Sequence, residues 1–162
     1  MDNRNLRTKL LSVLIQRNRP ITLSVTGTSM NPTLWEGDTV TIEKREDYDT
    51  GDILVFRYKD DSLLIHRLVK KKKEYFFCKG DNSFRLEDIS INQIYGKVVA
   101  VNDKQIEPWP QWKIDLSYQV NREFLQCRYD KEETCNTEIY REYEKSILKQ
   151  PEEEIYNAIQ KK

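Results

Sequence analysis

The 162-residue chain is long enough for one domain of ordinary size, with room for an appended subdomain. Its 27 Lys+Arg balance its 27 Asp+Glu, and a formal net charge of zero argues against nucleic acid as the main partner, since phosphate-binding domains usually carry a basic excess. Hydrophobic residues make up 38% and charged residues 33%, which implies a modest core under a charged surface; no apolar run approaches the roughly 20 residues needed to span a bilayer.

Residues 1–20 read as an N-terminal amphipathic helix centred on 3–18. Leu6, Leu10, Val13, Leu14 and Arg17 recur at helical spacing, and Pro20 ends the run because proline disfavours helix at the residue before it. Charge interrupts the stretch, so it lacks the form of a secretory signal. Its apolar face is expected to pack on the sheet that follows. A membrane-surface anchor is the alternative, and the lack of aromatics on that face weakens it.

From residue 21 the period changes to two. Candidate strands are Ile21–Val25, Thr39–Glu43, Asp52–Tyr58, Leu63–Lys70, Glu74–Cys78 and Tyr95–Asn102. Turn signals separate them at Glu36-Gly37-Asp38, Thr50-Gly51-Asp52, Lys59-Asp60-Asp61 and Lys79-Gly80-Asp81-Asn82. Short strands at this spacing predict a mainly β domain of antiparallel strands over 21–107. The run Lys70-Lys71-Lys72-Lys73 falls at a predicted hairpin tip and reads as a solvated face.

Pro108-Trp109-Pro110 marks a boundary, and 108–162 forms a helical C-terminal extension with helices expected over 112–129, 134–149 and 151–161. Pro151 suits a first-turn position, and Glu152–Glu154 complement the helix dipole there. Tyr140, Tyr143, Ile147 and Ile155 could pack on the β domain or on a partner. The three cysteines, Cys78, Cys127 and Cys135, are odd in number and lack the spacing of a zinc site or a disulfide framework. Reduced thiols in a cytoplasmic protein with no metal or cofactor are the simpler expectation.

A serine becomes a useful nucleophile when a base removes its proton and the backbone around it is held in a sharp turn. Ser29, in Gly27-Thr28-Ser29-Met30-Asn31-Pro32-Thr33, follows a predicted strand and precedes a proline, so the segment must turn. The single histidine, His66, lies mid-strand in Leu63-Leu64-Ile65-His66-Arg67-Leu68-Val69 and shares the more apolar face with Leu64 and Leu68. A partly buried neutral imidazole beside a hydroxyl is a competent general base, and a carboxylate would orient it. Asp81 and Asp88 are the downstream candidates; an Asx turn and a turn or helix cap are their structural readings.

Six segments follow in order: Gly-x-Ser-Met-x-Pro-Thr, Glu-Gly-Asp, Gly-Asp-Ile-Leu-Val-Phe, His-Arg-Leu-Val, Lys-Gly-Asp-Asn and Gly-Lys-Val-Val. The series, about 80 residues long, resembles the serine-peptidase superfamily that joins type I signal peptidases with LexA-like self-cleaving proteins. His66-Arg67 stands where most bacterial members place a lysine before arginine, so the chain is most similar to the branch using serine, histidine and aspartate. The resemblance implies a LexA/signal-peptidase-like β fold, Ser29 as nucleophile, His66 as base and a downstream carboxylate as orienter. In that branch the better aspartate lies six residues after the one in the Asp-Asn pair. Counting from Asp81 gives Glu87, with Asp88 next, so Asp81, Glu87 and Asp88 all remain in play. Gly27 replaces a serine that helps hold the oxyanion in many signal peptidases. The Ser29 N–H, with Thr28 and Met30 as neighbours, is left for that task.

These expectations point to a soluble endopeptidase acting on a peptide or protein precursor that lies as an extended strand beside the sheet. They include no integral membrane span, although peripheral contact through the first helix stays open. A catalytically inactive peptide-binding module on the same fold is the alternative. A self-cleaving repressor needs a DNA-binding domain, and the 28 residues ahead of Ser29 are too few for one.

Overall fold

In a computed structural model, which describes residues 9–14, 17, 19–121 and 137–148, the period-two stretches become strands of one antiparallel sheet. The strands are β1 (Ile21–Ser24), β2 (Thr39–Glu43), β3 (Ile53–Arg57), β4 (Leu63–Lys72), β5 (Tyr75–Lys79), β6 (Glu87–Ile89), β7 (Ile94–Val101) and β8 (Lys104–Gln105). Their order across the sheet is β1-β2-β7-β3-β4-β5-β6, with β8 also paired to β7. The expected mainly β, LexA-like fold is therefore present.

Strand β3 explains why the core has two sides. Ile53 and Val55 join Val25, Met30, Leu34, Val40, Ile42 and Val98 in one cluster. Leu54 and Phe56 face the other way and join Tyr48, Leu68, Phe76, Cys78, Ile89 and Ile94. A strand buried on both faces reads as an unbroken apolar run, as Ile-Leu-Val-Phe does. Register shifts in β7, at Val99 opposite Thr41 and Ile42 of β2 and at Tyr95 opposite Val55 and Phe56 of β3, bend the sheet. At Gly96 a Cβ would lie 2.6 Å from the Glu43 carbonyl oxygen, so the close crossing of β7 over β2 requires glycine.

Two strands were absent from the sequence expectations. β8 has two residues, and β6 has three, two of them acidic, so neither offers a hydrophobic period to read. The basic hairpin tip is only partly free: Lys71 bonds Asp47 at 3.0 Å and the Tyr48 carbonyl at 2.8 Å.

Helix α1 spans 9–14. It buries Leu11 and leaves Leu10, Val13 and Leu14 exposed, so the face expected to pack inward is mostly outside. Helix α2 (Gln111–Gln119) lies against β4 and ends sooner than the expected 112–129. Helix α3 (Thr137–Tyr143) continues as a π-helical turn, Glu144–Leu148. Leu116 and Val120 pack with Tyr143 and Ile147, against Phe84 and Trp109, in a third apolar cluster. The tail thus covers the sheet, with Trp109 stacked on the Arg67 guanidinium at 3.6 Å. The expected helix over 151–161, together with Cys127 and Cys135, lies outside the described residues. No helix among the described residues is long and apolar enough to cross a membrane.

Candidate active site

Beyond β1 the chain turns at Gly27, whose φ of 81° is the left-handed conformation that favours glycine. The turn closes through Asn31 N–H to the Thr28 carbonyl at 3.1 Å and Leu34 N–H to the Met30 carbonyl at 2.9 Å. Met30 and Leu34 are buried and anchor it in the first core cluster, while Ser29, just before Met30, stays partly exposed. The Asn31–Pro32 peptide is cis.

Across from this turn, β4 pairs with β3 from Leu63 through Arg67 but with β5 only from Arg67 onward. Residues 63–66 therefore have one open edge, and His66 stands where β5 departs. Its Nε2 lies 2.9 Å from Ser29 Oγ, and its Nδ1 lies 2.9 Å from Glu87 Oε2. An ionised carboxylate can only accept, so Nδ1 carries the proton and Nε2 accepts from the Ser29 hydroxyl. This is the tautomer that lets an imidazole act as base toward the serine.

Glu87 reaches the ring because β6 pairs with β5 in the register Cys78↔Glu87, and Cys78 pairs in turn with Leu68 of β4. Two residues back on the same face of β4 is His66. Glu87 is fully buried, and its second oxygen accepts from Arg85 Nε at 3.0 Å, so both ends of the carboxylate are held.

The structure does not bring the two expected aspartates to the imidazole. Asp88 follows Glu87 on a strand, so its side chain falls on the opposite face and is exposed. Asp81 is buried, but its carboxylate is occupied: Arg67 binds it through Nε at 2.9 Å and Nη2 at 2.8 Å, and Thr33 donates to it at 2.5 Å. With Arg67 Nη1 on the Gly51 carbonyl, this buried pair pins the loop after β5 to the serine turn. Among the three carboxylates weighed from the sequence, only Glu87 bonds the ring.

The same loop clamps the backbone around Ser29. Asn82 N–H donates to the Ser29 carbonyl at 2.8 Å, Asn82 Nδ2 to the Thr28 carbonyl at 3.2 Å, and Asp81 N–H to Met30 Sδ at 3.4 Å. Met30 is thus a core and clamp residue. At Gly80 a Cβ would stand 2.5 Å from the Ser29 carbonyl oxygen and 3.1 Å from His66 Nε2, so this approach admits only glycine. Among the described residues, nothing accepts the N–H of Thr28 or Ser29.

Behind the loop, Lys79 is buried with its Nζ 2.9 Å from Tyr143 Oη and 3.3 Å from Ser117 Oγ. Burial pulls its ammonium from the ordinary lysine value down to about 7, against the opposing pull of Asp81 and Glu87. Burial likewise pushes the Tyr143 phenol up.

A groove of about 300 Å³ leads to Ser29 and His66, walled by Leu23 and Ser24 of β1 on one side and Leu63–Ile65 of β4 on the other. Both walls are strand edges with unpaired backbone. Gly80, Asn82 and Glu87 complete the site; in the sequence Lys79-Gly80-Asp81-Asn82 stood out as a turn signal and as one of the six segments of the resemblance, with no role read for Gly80 or Asn82.

Among known proteins, the family model described as Peptidase S24-like matches residues 2–99. No curated protein matches the chain.

Proposed function

The chain belongs to the Peptidase S24-like family, and from that premise we propose that it is a serine endopeptidase using Ser29, His66 and Glu87. The observation that carries the reading is the relay of two 2.9 Å contacts from Ser29 through His66 to Glu87. In the forward step Ser29 Oγ attacks a peptide carbonyl carbon while His66 Nε2 takes the hydroxyl proton. The resulting imidazolium is stabilised by the Glu87 carboxylate, and the oxyanion is received by the N–H groups of Ser29 and Thr28. His66 then hands its proton to the departing amine, and water reverses the sequence to free the acyl group.

The substrate would lie as an extended segment between the open edges of β1 and β4, where strand addition supplies main-chain hydrogen bonds. The third member is a glutamate where the histidine-using signal-peptidase branch has an aspartate. The longer side chain suits a carboxylate presented from β6. We place this activity in the cytoplasm, on a precursor peptide or protein.

The test is labelling of the full chain with a fluorophosphonate, comparing wild type with Ser29→Ala and His66→Ala. Labelling should map to Ser29 and be lost in both variants. Labelling that persists without Ser29 would sink the reading. A wild type that stays unlabelled would leave a peptide-binding module on the same fold.

A further inference from the structure

We infer that Tyr143, in the C-terminal extension, is a positioning residue that sets the orientation of the serine turn through the Asp81–Asn82 peptide group. The catalytic importance of that turn rests on the reading above; the geometric link stands without it. Tyr143 lies outside residues 2–99, the stretch matched by the family model.

The link is one planar unit. The carbonyl of Asp81 and the N–H of Asn82 belong to the same peptide bond, and such a bond is rigid. Its carbonyl accepts from Tyr143 Oη at 2.5 Å, and its N–H donates to the Ser29 carbonyl at 2.8 Å. Any rotation of that plane loosens both bonds together. Donors and acceptors in series also polarise one another, so the hold at one end strengthens the other.

Tyr143 is itself fixed. It is fully buried, its ring packs against Phe84 with centroids 5.9 Å apart, and its oxygen accepts from the Lys79 ammonium. Lys79 and Phe84 flank the 80–83 loop in sequence, so α3 grips the loop at its middle and at both ends. Helix α2 adds Ser117 against Lys79. Sequence separation is large, 62 residues between Tyr143 and Asp81, and the contact joins two parts of the chain that the sequence reading treats as separate.

The experiment uses the full chain carrying Tyr143→Phe, which keeps the ring and deletes the hydroxyl, with Ser117→Ala as a control that leaves the peptide plane bonded. Fluorophosphonate labelling is followed as a function of probe concentration and pH, well below the unfolding temperature. The maximal rate should fall about tenfold in Tyr143→Phe, while half-saturation and the pH at half-maximal rate stay put and Ser117→Ala matches wild type. A merely stabilising tyrosine would lower the unfolding temperature and leave the rate per folded molecule unchanged. That result overturns the inference and spares the peptidase reading. Should wild type itself go unlabelled, the peptidase reading falls, and amide exchange at Asn82 decides the link. Exchange about tenfold faster in Tyr143→Phe upholds it, and equal exchange overturns it.

Discussion

Glu87 and Asp88 are neighbours with the same charge, yet a strand gives them opposite surroundings. Glu87 points inward to the imidazole and Arg85; Asp88 points to solvent. Replacement by the amide separates them. In Glu87→Gln the amide oxygen would face the Arg85 donor, leaving the NH2 toward His66 Nδ1. The imidazole would then carry its proton on Nε2 and present a donor to Ser29, the wrong tautomer for a base. Labelling of Ser29 should slow by up to about 10⁴-fold. Asp88→Asn should change it by less than roughly twofold, as exposed substitutions do. Equal effects in a labelling time course would mean that the relay does not run through Glu87. The sequence could narrow the orienting group to three carboxylates, Asp81, Glu87 and Asp88, but not choose among them. Only the phase of a three-residue strand decides, and three residues carry no readable period.

At the scale of elements, the loop between β5 and β6 does more than connect them. It bears Gly80 for close approach, Asp81 for the buried pair with Arg67, and Asn82 for the bond to Ser29. Gly80→Ala puts a methyl 2.5 Å from the Ser29 carbonyl oxygen, a backbone atom that cannot rotate away. The loop must back off, drawing Asn82 from the serine turn. Denaturant unfolding should show a loss of about 1–3 kcal/mol, and labelling should slow by about a hundredfold, the scale of a 1 Å misplacement. Wild-type labelling in Gly80→Ala would show that the loop can shift without moving Ser29. In the sequence, Lys79-Gly80-Asp81-Asn82 reads as a turn, correctly. Its side-chain partners lie 14 to 64 residues away in sequence, and local pattern holds no record of them.

For the whole molecule, the tail is packed through a buried cation. Lys79 faces Ser117 of α2 and Tyr143 of α3, with Asp81 and Glu87 as its nearby charges. In the folded chain its ammonium gives up its proton near pH 7, and in the unfolded chain near 10.4. Between those values the unfolded state holds more protons, so stability rises with pH, by at most about 1.4 kcal/mol per unit from this group. Tyr143 acts with the opposite sign, because its raised phenol binds a proton longer in the folded state, but only above its ordinary range near 10. Denaturant unfolding between about pH 7 and 9 should therefore show an upward slope in wild type that Lys79→Met removes. An identical slope in both chains would place the proton release elsewhere. The sheet was legible at this scale because strands such as β3 and β4 carry strong patterns and the turns carry glycine. The seating of the tail was not, because its apolar residues suited either the sheet or a partner.

The groove between β1 and β4 has one more implication. Its open wall on β4 is four residues long, Leu63 to His66, or roughly 13 Å of extended chain. A passage bounded by two strand edges takes a single strand, and a native helix or an already paired hairpin has no way in. Choice among protein substrates would then depend on how readily each one frees a short stretch of backbone, and a marginally stable loop would be cut before a better-matched sequence locked in a core.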